Sequence, residues 1–134
     1  MMKYIDKKDL IIRESFSMAF KGGEIWFEQL DALSDHIDIV MDKFRRDLTT
    51  IKRPSLTGFI AINVNETLIN EQMAEEIIRG FIEIPKIRKV VFIGVTKEIK
   101  KIIKQLLILD STRVKFVYTF IEDYEKAKEW LVSK

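Results

Sequence analysis

Two continuous apolar runs, each followed by an amphipathic segment, constrain the fold of this chain more than any other feature. The run 89–95 (KVVFIGV) is almost wholly apolar, and the run 114–118 (VKFVY) is its counterpart further along. Charged segments with helical periodicity follow at 97–109 and 122–131. A strand that is apolar on both sides needs cover on both faces, which is typical of parallel strands linked by helices. The pattern therefore predicts an α/β fold.

The first part of the chain adds a hairpin to this arrangement. Apolar residues alternate over 12–20, which is the period of a half-exposed strand. The adjacent Gly22 and Gly23 predict a tight turn in which both glycines supply positive φ angles. Residues 25–27 are then expected to return as an antiparallel second strand.

Helical spacing and capping residues predict the remaining elements. The first helix is expected from about Asp31, with Asp31 or Ser34 as its N-cap, and should end before Pro54. The later helices have expected N-caps at Asn70, Thr96 and Asp123, and the later strands are expected over 56–64, 90–95 and 114–118. The resulting prediction is one domain over 1–134: a mixed five-stranded sheet with an N-terminal antiparallel hairpin and then parallel strands, flanked by about four helices in the order ββαβαβαβα.

Composition excludes several function classes. The 23 basic and 21 acidic residues among 134 give a net charge of only +2, so nucleic acid is not an expected partner. The chain has no cysteine, which excludes disulfides and thiolate chemistry, and its single histidine, His36, is expected at a boundary position. No apolar run approaches the roughly 20 residues that span a bilayer, and the first eight residues lack a secretory apolar core. A soluble, cytoplasmic protein without a cofactor is therefore expected.

The residues expected at the ends of the central strands do not favour catalysis. These ends read Asn63-Val64-Asn65 and Gly94-Val95-Thr96, so neither supplies a carboxylate. A glycine-rich phosphate loop and a nucleophile elbow are both missing from the sequence. The aspartates at 35, 38 and 42 share a helical stripe, which we interpret as a solvated face. No catalytic residue and no metal site is predicted.

The carboxyl ends of strands three and four are the best candidate for a binding site, because open α/β sheets usually bind ligands there. Backbone amides at the two following helix starts can also hold an anion. The candidate partner-binding or ligand-binding residues at this edge of the sheet are Asn65, Glu66, Thr67, Asn70 and Glu71.

A basic stripe on the third helix is the second candidate surface, formed by Lys97, Lys100, Lys101 and Lys104. We interpret it first as the solvated face of an amphipathic helix. Attraction to a membrane surface, a phosphate group or an acidic partner is the alternative.

Three segments resemble STAS-like domains, a group that includes the bacterial anti-sigma-factor antagonists and the STAS/SEC14-type proteins. They are 61–65 (AINVN), 88–94 (RKVVFIG) and 123–131 (DYEKAKEWL). The resemblance implies a small non-enzymatic regulatory module that works through protein partners. In the antagonist branch a kinase-type partner phosphorylates a serine at the start of the helix after strand three. Here 65–71 (NETLINE) contains no serine, and Thr67 is its only hydroxyl.

Three functional hypotheses follow. The leading one is a STAS-like binding or regulatory module whose protein partner contacts 65–80. The alternative is a membrane-peripheral or lipid-binding adaptor that uses the basic helix face. An enzyme acting on a small anionic substrate at the same edge ranks last. The sequence leaves the oligomeric state open, although the first strand is an edge that can pair with a second copy.

Overall fold

The computed structural model describes residues 4–134 and contains one five-stranded sheet in the order β1-β2-β3-β4-β5. The strands are β1 (Phe16–Phe20), β2 (Gly23–Gln29), β3 (Phe59–Asn63), β4 (Lys89–Ile93) and β5 (Val117–Phe120). The helices are α1 (Ile37–Ile51), α2 (Glu71–Ile82), α3 (Lys97–Leu109) and α4 (Tyr124–Val132), and a 3-10 turn (Lys7–Asp9) precedes β1. β1 and β2 are antiparallel and the other neighbours are parallel. The predicted α/β class, element order and mixed sheet are therefore confirmed.

The helices are divided unequally between the two faces of the sheet. Ile60, Ile62 and Phe92 pack with α1, α2 and α3 in the larger apolar cluster, whereas Ala61 and Val91 pack with α4 in the smaller one. Successive residues of one strand point to opposite faces, so both central strands are covered on both sides. This double cover explains why their sequences are continuous apolar runs.

The hairpin turn differs from the prediction in one position. Lys21 (φ 48°) and Gly22 (φ 84°) adopt the positive φ angles, and Gly23 is the first residue of β2. The pairing of Phe20 with Gly23 leaves a two-residue loop, whose two residues both need positive φ. Gly23 is small for another reason, since a Cβ there would lie 2.6 Å from Cγ1 of Val132.

The predicted N-cap of α1 is wrong, whereas the other three are confirmed. The helix begins at Ile37 with His36 as its N-cap residue. The chain from Leu30 to Ser34 does not turn into the helix, because it pairs with the end of β3 and with the loop that follows β3. The confirmed caps are Asn70 (Oδ1 to the Met73 amide, 2.9 Å), Thr96 (Oγ1 to the Ile99 amide, 3.3 Å) and Asp123 (Oδ1 to the Lys126 amide, 2.9 Å).

The last strand begins at Val117, three residues later than predicted. The amides of Arg113 and Val114 both donate to the Asp110 carbonyl at 2.9 and 3.2 Å, so a turn occupies the predicted start. Pairing with the sheet begins only where the Val117 amide reaches the Arg88 carbonyl at 3.0 Å. The α1 helix does end before Pro54, as predicted.

A buried polar cluster joins α1 to the residue before β1. The ammonium of Lys43 donates to Asp47 Oδ2 and to Ser15 Oγ, each at 2.8 Å. The Ser15 hydroxyl donates to the same Asp47 oxygen at 2.8 Å and accepts from the Gln29 amide at 2.8 Å. Lys43 is 5% exposed, so this pair lies largely out of water. The cluster ties the entrance of the edge strand to the helix that covers it.

Glu28 completes this cluster from β2 and is fully buried. Burial raises the pKa of Glu28 well above its ordinary value, and the neighbouring Asp47 adds to the effect. Oε1 of Glu28 accepts from Trp26 Nε1 at 2.9 Å, while Oε2 has no donor among the described residues. Protonation resolves this, because a neutral carboxyl group can donate a hydrogen bond to the neighbouring Asp47. Partial burial opposes ionisation of Asp47, but hydrogen bonds from Glu28, Lys43 and Ser15 outweigh it and lower the Asp47 pKa.

The raised pKa predicts a pH-dependent effect of Glu28→Gln. The stabilisation from protonated Glu28 is fully present below the pKa of an unfolded glutamate and is lost as pH rises through the folded pKa. A glutamine keeps both hydrogen bonds without ionising. We therefore expect the free energy of unfolding of Glu28→Gln to rise relative to that of wild type as pH increases from 4 to 8. The expected slope is about 1.4 kcal/mol per pH unit between the pKa of Glu28 in the unfolded chain and its pKa in the folded protein.

Urea unfolding at pH 4, 6 and 8 measures this difference. Glu24→Gln, at an exposed position of the same strand, is the matched control and should follow the wild-type pH dependence. Parallel pH profiles for wild type and Glu28→Gln would contradict a protonated Glu28.

Candidate functional site

A pocket of about 370 Å³ opens where β3 and β4 end, between α2 and α3. We call it the rim pocket. Its buried lining is apolar and comes from the two strands, the residue after Asn63 and the two helices: Ile62, Val64, Phe92, Ala74, Ile77, Ile99 and Ile103. The exposed residues of its lining are Glu66, Leu68, Thr96 and Glu98. Its size lies at the lower end of the range of small-ligand pockets, roughly 300–1,000 Å³.

The loop after β3 forms one border of the rim pocket, and the loop after β2 runs beside it. Beyond β2 and β3 the chain continues in parallel, with hydrogen bonds from Ala32 N to Asn65 O at 2.7 Å and from Ser34 N to Glu66 O at 3.0 Å. Ala32 (φ 58°), Ser34 (φ 55°) and Glu66 (φ 57°) all adopt left-handed conformations without being glycine. Such conformations cost free energy and cluster at functional sites. This border is therefore held in a strained shape by the surrounding hydrogen bonds.

Thr67 holds these two loops together. Its hydroxyl donates to the Leu30 carbonyl at 2.6 Å and accepts from the Leu33 amide at 3.0 Å. The side chain therefore acts as a crosslink between the segments that follow β2 and β3. A hydroxyl with both functions occupied in this way is poorly placed to accept a phosphoryl group.

An amide cluster lies on the α4 side of the same edge. Asn63 Nδ2 donates to Gln29 Oε1 and to the Tyr124 hydroxyl, both at 3.1 Å. Asn65 Nδ2 donates to the same hydroxyl at 3.1 Å, and the Asn65 amide donates to Asn63 Oδ1 at 3.1 Å. Tyr124 therefore connects the first residue of α4 to the end of β3. This network sets the position of Asn65 at the pocket border.

Gly94 allows the end of β4 to approach Asn65. Its φ is +84°, and a Cβ there would lie 2.4 Å from Oδ1 and 2.6 Å from N of Asn65. Both the conformation and the space therefore require glycine.

The predicted rim residues divide into two groups. Asn65, Glu66 and Thr67 line the rim pocket. Asn70 and Glu71 are not part of its lining among the described residues: the Asn70 side chain caps α2, and Glu71 is exposed in the first turn of that helix. The two halves of the predicted site therefore have different roles in the structure.

The predicted basic stripe lies on α3. Lys97, Lys101 and Lys104 are exposed, and Lys100 is half-buried. The ammonium groups of Lys100 and Lys104 lie 5.2 and 5.8 Å from the ring centre of Phe120 on β5, within the range of cation–π attraction. None of these lysines lines the rim pocket.

Sequence reasoning missed the apolar lining of the pocket. Residues such as Ile99 and Ile103 have helical spacing that indicates core, and nothing in the sequence separates core from a pocket wall. Leu68 is the exception, because it is an apolar residue within the polar segment 65–71 and is 45% exposed. An apolar residue within a polar segment at the carboxyl ends of the strands is the sequence signal that could have indicated a pocket there.

The side chains around the rim pocket suit binding better than catalysis. Glu66 and Glu98 are the only ionisable residues in its described lining. The Thr67 hydroxyl is occupied as described, and Thr96 Oγ1 accepts the Ile99 amide as the cap of α3. Within residues 4–134 no three His, Asp or Glu side chains are grouped closely enough to hold a metal ion.

Comparison of the chain with protein-family models, with curated proteins and with solved structures gives no match. The topology itself establishes a mixed α/β fold, and the STAS-like resemblance stays a prediction. None of the helices described between residues 4 and 134 has the length and apolar character needed to cross a membrane.

Two glycine substitutions test the close approach at Asn65. Gly22 has the same φ of +84°, but a Cβ added there would meet no described atom within 4 Å. Gly22→Ala should therefore cost only the left-handed strain, about 1–2 kcal/mol. Gly94→Ala should cost about 1–3 kcal/mol more, because the new methyl displaces Asn65. Urea unfolding of both variants measures the difference, and equal losses would contradict a tight contact at Gly94.

A second pair of variants tests the role of Thr67. Thr67→Val removes both hydrogen bonds at nearly constant shape and should cost about 1–3 kcal/mol. Thr67→Ser keeps the hydroxyl and should lose less than about 1 kcal/mol, the value of one methyl group. Urea unfolding gives the free energies, and amide exchange at Leu33 should accelerate only in Thr67→Val. Similar losses in the two variants would show that the methyl group, not the hydroxyl, matters.

Proposed function

We propose that the protein is a small, non-enzymatic, cytoplasmic binding module of STAS-like type, and that a protein partner inserts an apolar side chain into the rim pocket. The observation that carries this proposal is the apolar pocket at the carboxyl ends of the two central strands, with Leu68 exposed at its opening. The carboxyl ends of the strands are the edge at which open α/β sheets bind their ligands, although the sequential strand order of this sheet has no reversal there.

The surroundings of the pocket support a protein partner. Interfaces commonly have a small apolar centre enclosed by polar residues that exclude water. The rim pocket has this arrangement, because its buried lining is apolar while Glu66, Thr96 and Glu98 border it. The two exposed acids favour a partner segment that carries basic residues beside its apolar anchor.

The absence of a serine from 65–71 suits a constitutive binder. Thr67, the only hydroxyl in 65–71, has a structural role between the two loops. Glu66 already places a negative charge at the pocket border without modification. Binding is therefore expected to depend on the apolar contact and on complementary charge, with no phosphorylation step.

Site-specific photocrosslinking tests the partner surface. A benzoylphenylalanine at position 68 should capture a partner protein in cells, whereas the same residue at position 11, where Ile11 is 77% exposed away from the pocket, should not. With the captured partner, Leu68→Lys should weaken binding at least about tenfold and Ile11→Lys less than about twofold. Equal capture or equal weakening at both positions would contradict this surface.

A soluble probe tests the pocket itself. Indole at about millimolar concentration should shift the methyl signals of Ile99 and Ile103 in NMR spectra, because its size and apolar character suit the pocket. The methyl signal of Ile25, fully buried against α4 on the other face of the sheet, is the internal control. Unchanged Ile99 and Ile103 signals would show that the pocket does not admit an apolar ring.

A further inference from the structure

The outward face of α3 carries lysines that lack acidic partners. Within the described chain, two acids of α2 are paired with arginines: Glu76 binds Arg45 at 2.7 Å, and Glu75 binds Arg79. No ion pair among residues 4–134 includes a lysine of α3. Lys97, Lys101 and Lys104 are therefore exposed without an ion-pair partner among the described residues, and Glu98 is the one acid within α3.

Two apolar side chains are exposed at the end of the same helix. Ile108 is 68% exposed and Leu109 is 85% exposed, although both belong to the last turn of α3. Positions 97, 101, 104 and 108 follow the helical repeat and form a single stripe. The buried face of the helix, with Ile103 and Leu107, lies on the opposite side. We call Lys97, Lys101, Lys104, Ile108 and Leu109 the α3 outer face.

The excess of basic over acidic side chains is concentrated in α3 and the segment that follows it. Between positions 97 and 115 the chain has six basic and two acidic side chains, a formal charge of +4, whereas the whole chain carries +2. One of those acids, Asp110, is paired with Arg113 at 3.3 Å. The remainder of the protein is therefore slightly acidic, and its charge is strongly asymmetric.

We propose that the α3 outer face docks on an anionic lipid surface. The lysines would lie among the lipid phosphates, and Ile108 and Leu109 would enter the boundary between headgroups and acyl chains. A cluster of lysines is attracted to anionic lipid headgroups, and exposed apolar side chains beside it can be buried at the boundary with the acyl chains. A lipid surface offers both negative charge and an apolar phase. A nucleic acid offers negative charge on its outer backbone but no apolar phase for Ile108 and Leu109.

The apolar end of this surface is separate from the rim pocket, whereas its first lysine, Lys97, lies between Thr96 and Glu98 of the pocket lining. The pocket uses Ile99 and Ile103 on the inner side of the first half of α3, whereas Ile108 and Leu109 are at its far end. Ile108 lies five residues beyond Ile103, which is roughly 7.5 Å along a helix. The two proposals depend on different side chains, so they can fail independently.

Vesicle co-sedimentation tests the proposal with the full chain. Wild type should bind vesicles of 70% phosphatidylcholine and 30% phosphatidylglycerol at low salt, and should not bind phosphatidylcholine alone. Each lysine near an anionic surface contributes about fivefold in affinity, so the triple variant Lys97→Gln/Lys101→Gln/Lys104→Gln should bind about a hundredfold more weakly. The matched control Lys8→Gln/Lys52→Gln/Lys126→Gln removes three exposed lysines elsewhere. It should change affinity by less than about threefold.

The apolar residues are tested separately. Ile108→Ser/Leu109→Ser should weaken binding at least about tenfold, and Ile11→Ser, at another exposed isoleucine, should not. Absence of binding to the anionic vesicles at low salt would overturn the proposal. Equal affinities for the α3 variants and their controls would do so too, as would tighter binding to a single-stranded oligonucleotide than to the vesicles.

Discussion

The structure depends on the burial of β3 and β4 on both faces. Ile60, Ile62 and Phe92 pack beneath the three helices on one side, and Ala61 and Val91 pack beneath α4 on the other. Each fully buried large aliphatic or aromatic side chain contributes about 1.5–3 kcal/mol. Since the two strands lie between two apolar layers, their ends are the positions where polar loops meet the core. The rim pocket is located there for that reason.

The loops at this edge are shaped by hydrogen bonds more than by local preference. Thr67, the amides of 30–34 and the cluster around Tyr124 hold three non-glycine residues in left-handed conformations. An isolated loop would relax from such conformations, so their presence indicates a surface maintained in one shape. A fixed border around an apolar cavity favours binding with little ordering cost. The capped starts of α2 and α3 add to this rigidity.

The α3 helix combines two different surfaces on one element. Its inner side contributes to the rim pocket, and its outer side bears the lysines with Ile108 and Leu109. Because a helix presents a new face every 100°, side chains a few positions apart can contact separate partners. The two proposed binding surfaces therefore share this one helix.

The sequence by itself determined the class, the element order and three of the four helix caps. Those features depend on periodicity and on capping residues that act within a few positions of the chain. Only the tertiary structure decided where α1 begins, because the segment 30–34 pairs with a loop more than thirty residues away. It also decided that Thr67 is a crosslink, that Glu28 is a buried acid beside Asp47, and that apolar residues of α2 and α3 enclose a pocket. These outcomes depend on which distant side chains meet in space, and local spacing along the chain does not encode that.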